Sequence, residues 1–161
     1  MKKFDLVPDD NLVIDGRTLS RIKACIDFTT ASGKEVKVGD FGGYVEDEEN
    51  LSHDGKAWVF DDARVFGKAW VYGDALVSGD ARVFDDARVY GDARVFGDAR
   101  IFGDAMVCGE AWVYGDARVY GKARVYGNAR VYGKARVSGD ARVSGDDDKQ
   151  LLPYGAGGGR G

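Results

Sequence analysis

From Val59 to Arg142 the chain repeats itself every six residues, fourteen times in succession and without an insertion. The hexads open with VFDDAR, VFGKAW, VYGDAL and VSGDAR and close with VYGNAR, VYGKAR and VSGDAR. Number the positions one to six. Position one is Val, or Ile at Ile101, and position five is Ala in every copy. Position three is Gly in twelve copies and Asp in two, at Asp61 and Asp85. Such a period constrains the fold strongly, because each unit has to bury its apolar face against copies of itself.

The chemistry of the positions gives the backbone path. Across the join between hexads, Ala-Arg-Val-Tyr alternates as a strand does, with Ala and Val on one side and Arg and Tyr on the other. The Gly-Asp pair then turns a corner. Glycine suits positive φ, and Asp is among its least penalised substitutes. Four residues are too few for a helix, and the turn is not of the Asn-Gly hairpin kind. The strands therefore run forward around a coil. Three strands and three corners close a coil of about eighteen residues, and successive coils stack at roughly 4.8 Å by parallel pairing. Val and Ala fill the narrow interior. Both prolines, Pro8 and Pro153, fall outside the repeat, as the ladder's need for N–H donors requires.

On these residues the chain resembles the left-handed β-helix hexapeptide-repeat family, whose pattern is an aliphatic residue every six with a small residue four later. The resemblance covers 59–142 and implies an all-β, left-handed parallel β-helix of five to six coils. The handedness comes from the resemblance alone. Residues 41–58, FGGYVEDEENLSHDGKAW, are expected to form a first, irregular coil, with Val45, Leu51 and Ala57 at position five and His53 at position one. Before it, strands near Leu19–Phe28 and Glu35–Val38 are expected around a turn at Ala31-Ser32-Gly33. Residues 1–40 are thus expected to be an N-terminal β cap, 41–146 the solenoid and 147–161 a partly disordered tail. In the tail Leu151, Leu152 and Tyr154 are placed to fold over the last coil. The preamble, RIKACIDF followed by VGDFGGYVEDEENLSHDGKAWV, is similar to that of uncharacterised hexapeptide-repeat proteins, often phage or prophage encoded, some of which are labelled transferases.

Placing every third hexad on one face gives outward columns. The first face carries Arg64, Arg82, Arg100, Arg118 and Arg136 beside Phe66, Phe84, Phe102 and Tyr120. The second carries Trp58, Leu76, Arg94, Trp112 and Arg130 beside Phe60, Phe96, Tyr114 and Tyr132. The third carries Trp70, Arg88, Met106, Arg124 and Arg142 beside Tyr72, Tyr90, Cys108 and Tyr126. Aromatic rings at strand spacing cover one another, and exposed guanidiniums rest on rings for ~0.5–1 kcal/mol. Faces rich in Trp, Tyr, Phe and Arg also have the composition of interfaces. The expected interface residues are Trp58, Trp70, Leu76, Met106, Trp112 and Tyr114. The five-arginine face is the place for a polyanion, the lesser alternative.

An enzyme of this family implies a His base in a cleft between solenoids, often with a loop leaving a coil. No loop leaves the coils between 59 and 142, and the chain has one histidine, His53, which is the catalytic candidate. The three-His zinc site of the fold's carbonic-anhydrase branch needs more histidines than one chain supplies. The corner aspartates Asp62, Asp80, Asp98 and Asp116 lack the glycine-rich nonapeptide pattern of calcium-binding β-rolls. The repeats contain no Thr ladder for ice. No metal and no cofactor is expected.

Net charge is −4 over 161 residues, which disfavours general nucleic-acid binding. Cys25 and Cys108 form no CxxC and no disulfide spacing, which suits a reducing, cytoplasmic setting. The N-terminus lacks a signal peptide's apolar stretch, and no run spans a bilayer. The expectation is a non-catalytic scaffold that self-associates as a trimer or end-to-end polymer, or docks a protein partner. The alternative is an acyltransferase-like enzyme with a site between subunits.

Overall fold

The computed structural model describes residues 2–145. The tail and its residues Leu151, Leu152 and Tyr154 lie outside them. The chain opens with strands β1 (Phe4–Ile14) and β2 (Arg17–Ala24), then β3 (Phe28–Thr29), β4 (Glu35–Val36) and β5 (Phe41–Val45). From Trp58–Val59 to Arg142–Val143 every position-six and position-one pair is a two-residue rung. Rungs pair in parallel with those eighteen residues away, as Arg82 with Arg100 and Val83 with Ile101. Three parallel faces result, and about six coils stack.

The interior follows the repeat. Val65, Val83, Ile101, Val119 and their Ala partners are fully buried in one continuous core. The corner residues Asp61 and Asp85 have φ of 56° and 59°, beside glycines such as Gly103 at 66°. Each corner carboxylate accepts from a glycine N–H one coil on: Gly79 donates to Asp61 at 3.0 Å and Gly103 to Asp85 at 3.1 Å. That bond is what an Asp offers there and an Ala does not.

The N-terminal segment differs from expectation in three ways. First, β1 and β2 form a long antiparallel hairpin closed by Asp15 and Gly16, both at positive φ. Asp-Gly at a tight turn supplies the twist that hairpins favour. Next, β2 pairs antiparallel with β5, and β5 continues the first face through Tyr44 against Arg64 and Val45 against Val65. Third, Val45 and Leu51 sit at position one, because Val45 pairs with Val65 and Leu51 bridges Val71. Only Ala57 holds position five, since Trp58 pairs with Leu76. The spacing from Leu51 to Val71 is two residues longer than from Trp58 to Leu76, so the corner holding His53 carries a two-residue insertion. His53 is therefore not at position one.

Parallel pairing sends hydrogen bonds both ways between coils, and one set of them runs forward. N–H groups donate to the carbonyls of the following coil: Arg82 to Ala99 at 3.0 Å, Phe84 to Ile101 at 3.0 Å and Asp86 to Gly103 at 2.9 Å. The first coil, and the part of the second that follows its irregular corner, consequently have carbonyls that no preceding backbone N–H serves, and buried carbonyls need partners. Three side chains supply the donors. Lys3 Nζ donates to Gly55 O at 3.2 Å and Ala57 O at 2.6 Å. Arg21 Nη1 donates to Gly42 O at 2.8 Å and Asp61 O at 3.4 Å. Asn50 Nδ2 donates to Gly67 O at 3.2 Å and Ala69 O at 2.8 Å.

Lys3 is 1% exposed. Burial pushes its ammonium down to about 8 from 10.5, against the attraction of Asp54 and Asp74. A folded-state value below the unfolded one means that the unfolded chain holds the extra proton between those limits. Stability therefore climbs as pH rises through that window. Relative to a Lys3→Met variant, the wild-type chain should gain up to about 3 kcal/mol across it. Urea unfolding of both proteins at several pH values measures this; a constant difference would show an unperturbed ammonium.

Candidate interaction surfaces

The first face is an open groove of about 680 Å³ lined by Arg64, Arg82, Arg100, Arg118, Arg136, Lys134, Asp80, Asp98 and Asp116. The five arginines are direct neighbours rung by rung. The alternation of the strand puts each outward while its Val or Ile neighbour turns in. Beside them Phe66, Phe84, Phe102 and Tyr120 stack nearly parallel, with centroids 5.0, 5.0 and 4.9 Å apart. Burial, then the repulsion of Arg64 and Arg100, depresses the Arg82 guanidinium below its ordinary value. Among the described residues, the ion pairs belong to the N-terminal segment and the corners it meets: Lys2 with Asp5 and Glu48, Arg17 with Glu46, Arg21 with Asp10 and Asp62, and Lys37 with Glu35.

The six expected interface residues do not form one patch. On the second face Trp58 is buried at 1% exposure, with Phe28 at 5.3 Å and Phe4 at 6.3 Å edge-on to it. The β3–β4 hairpin covers it, and Lys34 Nζ lies over the neighbouring Phe60 ring at 4.6 Å. Leu76, the next rung, joins the same core. A cover formed by residues thirty positions earlier removes both from the outer surface. Trp112 remains half-buried, held between the guanidiniums of Arg94 at 5.3 Å and Arg130 at 4.5 Å. Tyr114 stacks on Phe96 at 4.8 Å and on Tyr132 at 5.3 Å.

The third face holds Met106, half-buried, and Trp70, which at 40% is the most exposed large apolar side chain of the repeats. Trp70 leans on Tyr72 at 3.9 Å, and Tyr72 stacks on Tyr90 at 4.8 Å. Trp70 also borders an open depression of about 880 Å³, shared with Asp47, Glu48, Glu49, Leu51, His53 and Lys68. Sequence reasoning missed this depression, because the shifted first coil creates it.

His53 has structural partners on both ring nitrogens. Lys3 N–H donates to Nδ1 at 3.0 Å, and Nε2 meets Glu48 Oε1 at 3.1 Å. The ring stacks on Phe4 at 4.3 Å. These contacts fix the corner insertion against β1. No group of three His, Cys, Asp or Glu placed to hold a metal ion occurs among the described residues. No helix in them is long and apolar enough to cross a membrane.

Parallel rungs, one continuous Val/Ala core and glycine corners make this chain a β-solenoid repeat protein. Its repeats are similar to the family described as the YdcK beta solenoid repeat, which they match over residues 87–100, 99–115, 123–137 and 135–146. None of the curated proteins matches the chain.

Proposed function

We propose that the chain is a non-catalytic scaffold that acts through its outer faces, by self-association or by docking a protein partner. Exposed Trp70 carries this reading. It stands where neighbouring rungs have Arg88, it opens onto a depression, and an exposed aromatic anchor beside a pocket is how interface energy is concentrated. The packed interior has no room for a small ligand, and His53 is engaged at both nitrogens, which speaks against the acyltransferase alternative. The left hand of the coil and its place among hexapeptide-repeat proteins, including phage-type relatives, belong to the same proposal. So do a capping role for the N-terminal segment and a reducing, cytoplasmic setting, which the free thiols Cys25 and Cys108 suit.

Light scattering over a range of concentrations tests it, with Trp70→Arg and Trp112→Arg as probes. Both substitutions restore the residue that the repeat uses at that position, so circular dichroism should stay unchanged. Wild-type mass should exceed one chain, or a partner should be retained, and Trp70→Arg should weaken association by at least about tenfold. Association that is indifferent to both substitutions would overturn the face assignment.

A further inference from the structure

We infer that the first face is a contact between two copies of this chain. The copies lie side by side and parallel, related by a two-fold axis along the solenoid. Arg82, Arg100 and Arg118 of each copy are set against Asp80, Asp98 and Asp116 of the other. This rests on the self-association reading, to which it adds a face and a symmetry.

The face holds both charges and pairs neither. Arginines at position six form one stripe along the groove, and aspartates at position four form a second stripe beside it. Among the described residues, no ion pair joins the two stripes. The arginines crowd one another: burial, then the repulsion of Arg64 and Arg100, holds the Arg82 guanidinium down against the attraction of Asp15 and Asp80. Carboxylates brought from outside the chain would relieve that crowding, and guanidinium forks take carboxylates in two parallel bonds.

The repeat is the same on both sides of such a contact. Arg82 pairs with Arg64 and Arg100, and Arg100 with Arg118, so the stripe advances one rung, about 4.8 Å, per arginine. The aspartates stand two residues before these arginines and advance by the same rung. A second copy therefore carries a carboxylate stripe that keeps step with the arginines over several coils, whatever the spacing of a rung.

Symmetry selects the arrangement. The stripes run lengthwise, side by side. Turning a second copy about an axis along the solenoid keeps each rung at its level and exchanges the stripes. Every arginine then meets an aspartate, and the contact repeats in the other direction, as an isologous interface requires. Turning it about an axis across the face inverts the partner and lays arginine on arginine, and facing like charges suppress a pairing. The groove is lined by repeat residues alone among those described, so the N-terminal hairpin leaves it open. At its far end Lys134 takes the aspartate's place beside Arg136. That level sets cation against cation, and the dimer should be weak for it.

Sedimentation of the full chain at low and high salt tests the contact. The mass should pass from one chain to two with concentration, and added salt should weaken the dimer. Arg100→Asp and Asp98→Arg should each weaken it about tenfold, because each sets like charges together twice. An equimolar mixture of these two variants should recover the wild-type affinity, since one chain then brings two carboxylates to that level and the other two guanidiniums. Lys134→Asp should tighten the dimer by about tenfold. Circular dichroism should stay unchanged, because position four holds Lys122 and Asn128 elsewhere and position six holds Met106 and Trp112. A mixture no tighter than its components, a Lys134→Asp chain no tighter than wild type, or a single-chain mass at every concentration would each overturn the inference. Binding of single-stranded DNA by a chain that stays single would do the same. Association that ignores the charge variants but falls with Trp70→Arg would keep self-association and overturn this face alone.

Discussion

Asn50→Ala should remove about 3–5 kcal/mol of stability, the largest effect expected of any single polar substitution in this chain. The Asn50 amide is 1% exposed and uses every hydrogen-bonding position it has. Its oxygen accepts from Glu46 N–H at 3.0 Å and Asp47 N–H at 2.8 Å. Its nitrogen donates to Gly67 O and Ala69 O. Truncation leaves the Asp47 N–H and both carbonyls unmet at once, while the Glu46 N–H keeps its second partner, Val65 O, at 3.1 Å. Asn50→Asp keeps the shape but aims an acceptor at two carbonyl oxygens, so it should be nearly as costly near neutral pH. Its carboxyl is then held above its unfolded value, so the variant should recover part of the loss as pH falls and the acid becomes a donor. Because stability in a solenoid is local, the damage should appear as faster hydrogen exchange in the first two coils. Unchanged exchange there would mean that water replaces the amide without cost.

The second large effect concerns the corners. Gly109 has φ of 65°, and a Cβ there would lie 2.8 Å from Gly127 N. Gly109→Ala should therefore cost about 2–3 kcal/mol from the left-handed backbone and the crowding together. Gly109→Asp meets the same backbone, but its carboxylate can take the Gly127 N–H as Asp85 takes that of Gly103. It should cost about 1 kcal/mol less than the alanine variant. Thermal melts of the two variants decide it. An alanine variant as stable as the aspartate would show that the hydrogen bond contributes nothing.

Where each residue answers to its own neighbours, the sequence was a sufficient guide. Val at position one and Ala at position five declare the interior, Gly at position three declares the corner, and the outward columns follow from counting. The reading failed where long-range contacts decide. Val45 and Leu51 are both apolar, and nothing local says which phase they hold; the two-residue insertion around His53 shifts them. Asp47 and Asn50, three apart, form a capping box around a single 3-10 turn, Glu48–Asn50. That spacing was visible in the sequence and marks an irregular corner just before the break in phase. Asp15-Gly16 was likewise a visible hairpin signal. Trp58 and Leu76 could not have been placed, because the segment that buries them lies thirty or more residues earlier. Nor could Lys3, whose ammonium serves carbonyls more than fifty residues away.

Copy number in this array has two separate consequences. Val and Ala recur in every hexad, so duplicating or losing one hexad leaves the interior as well filled as before. It would, however, carry every downstream outward residue round to the next face. The arginine column would break into two partial columns, and the tryptophans would change neighbours. Only changes of eighteen residues, the rung-to-rung interval, lengthen the molecule while keeping its sides distinct. Selection on such a gene acts on the phase of the surface rather than on the soundness of the core.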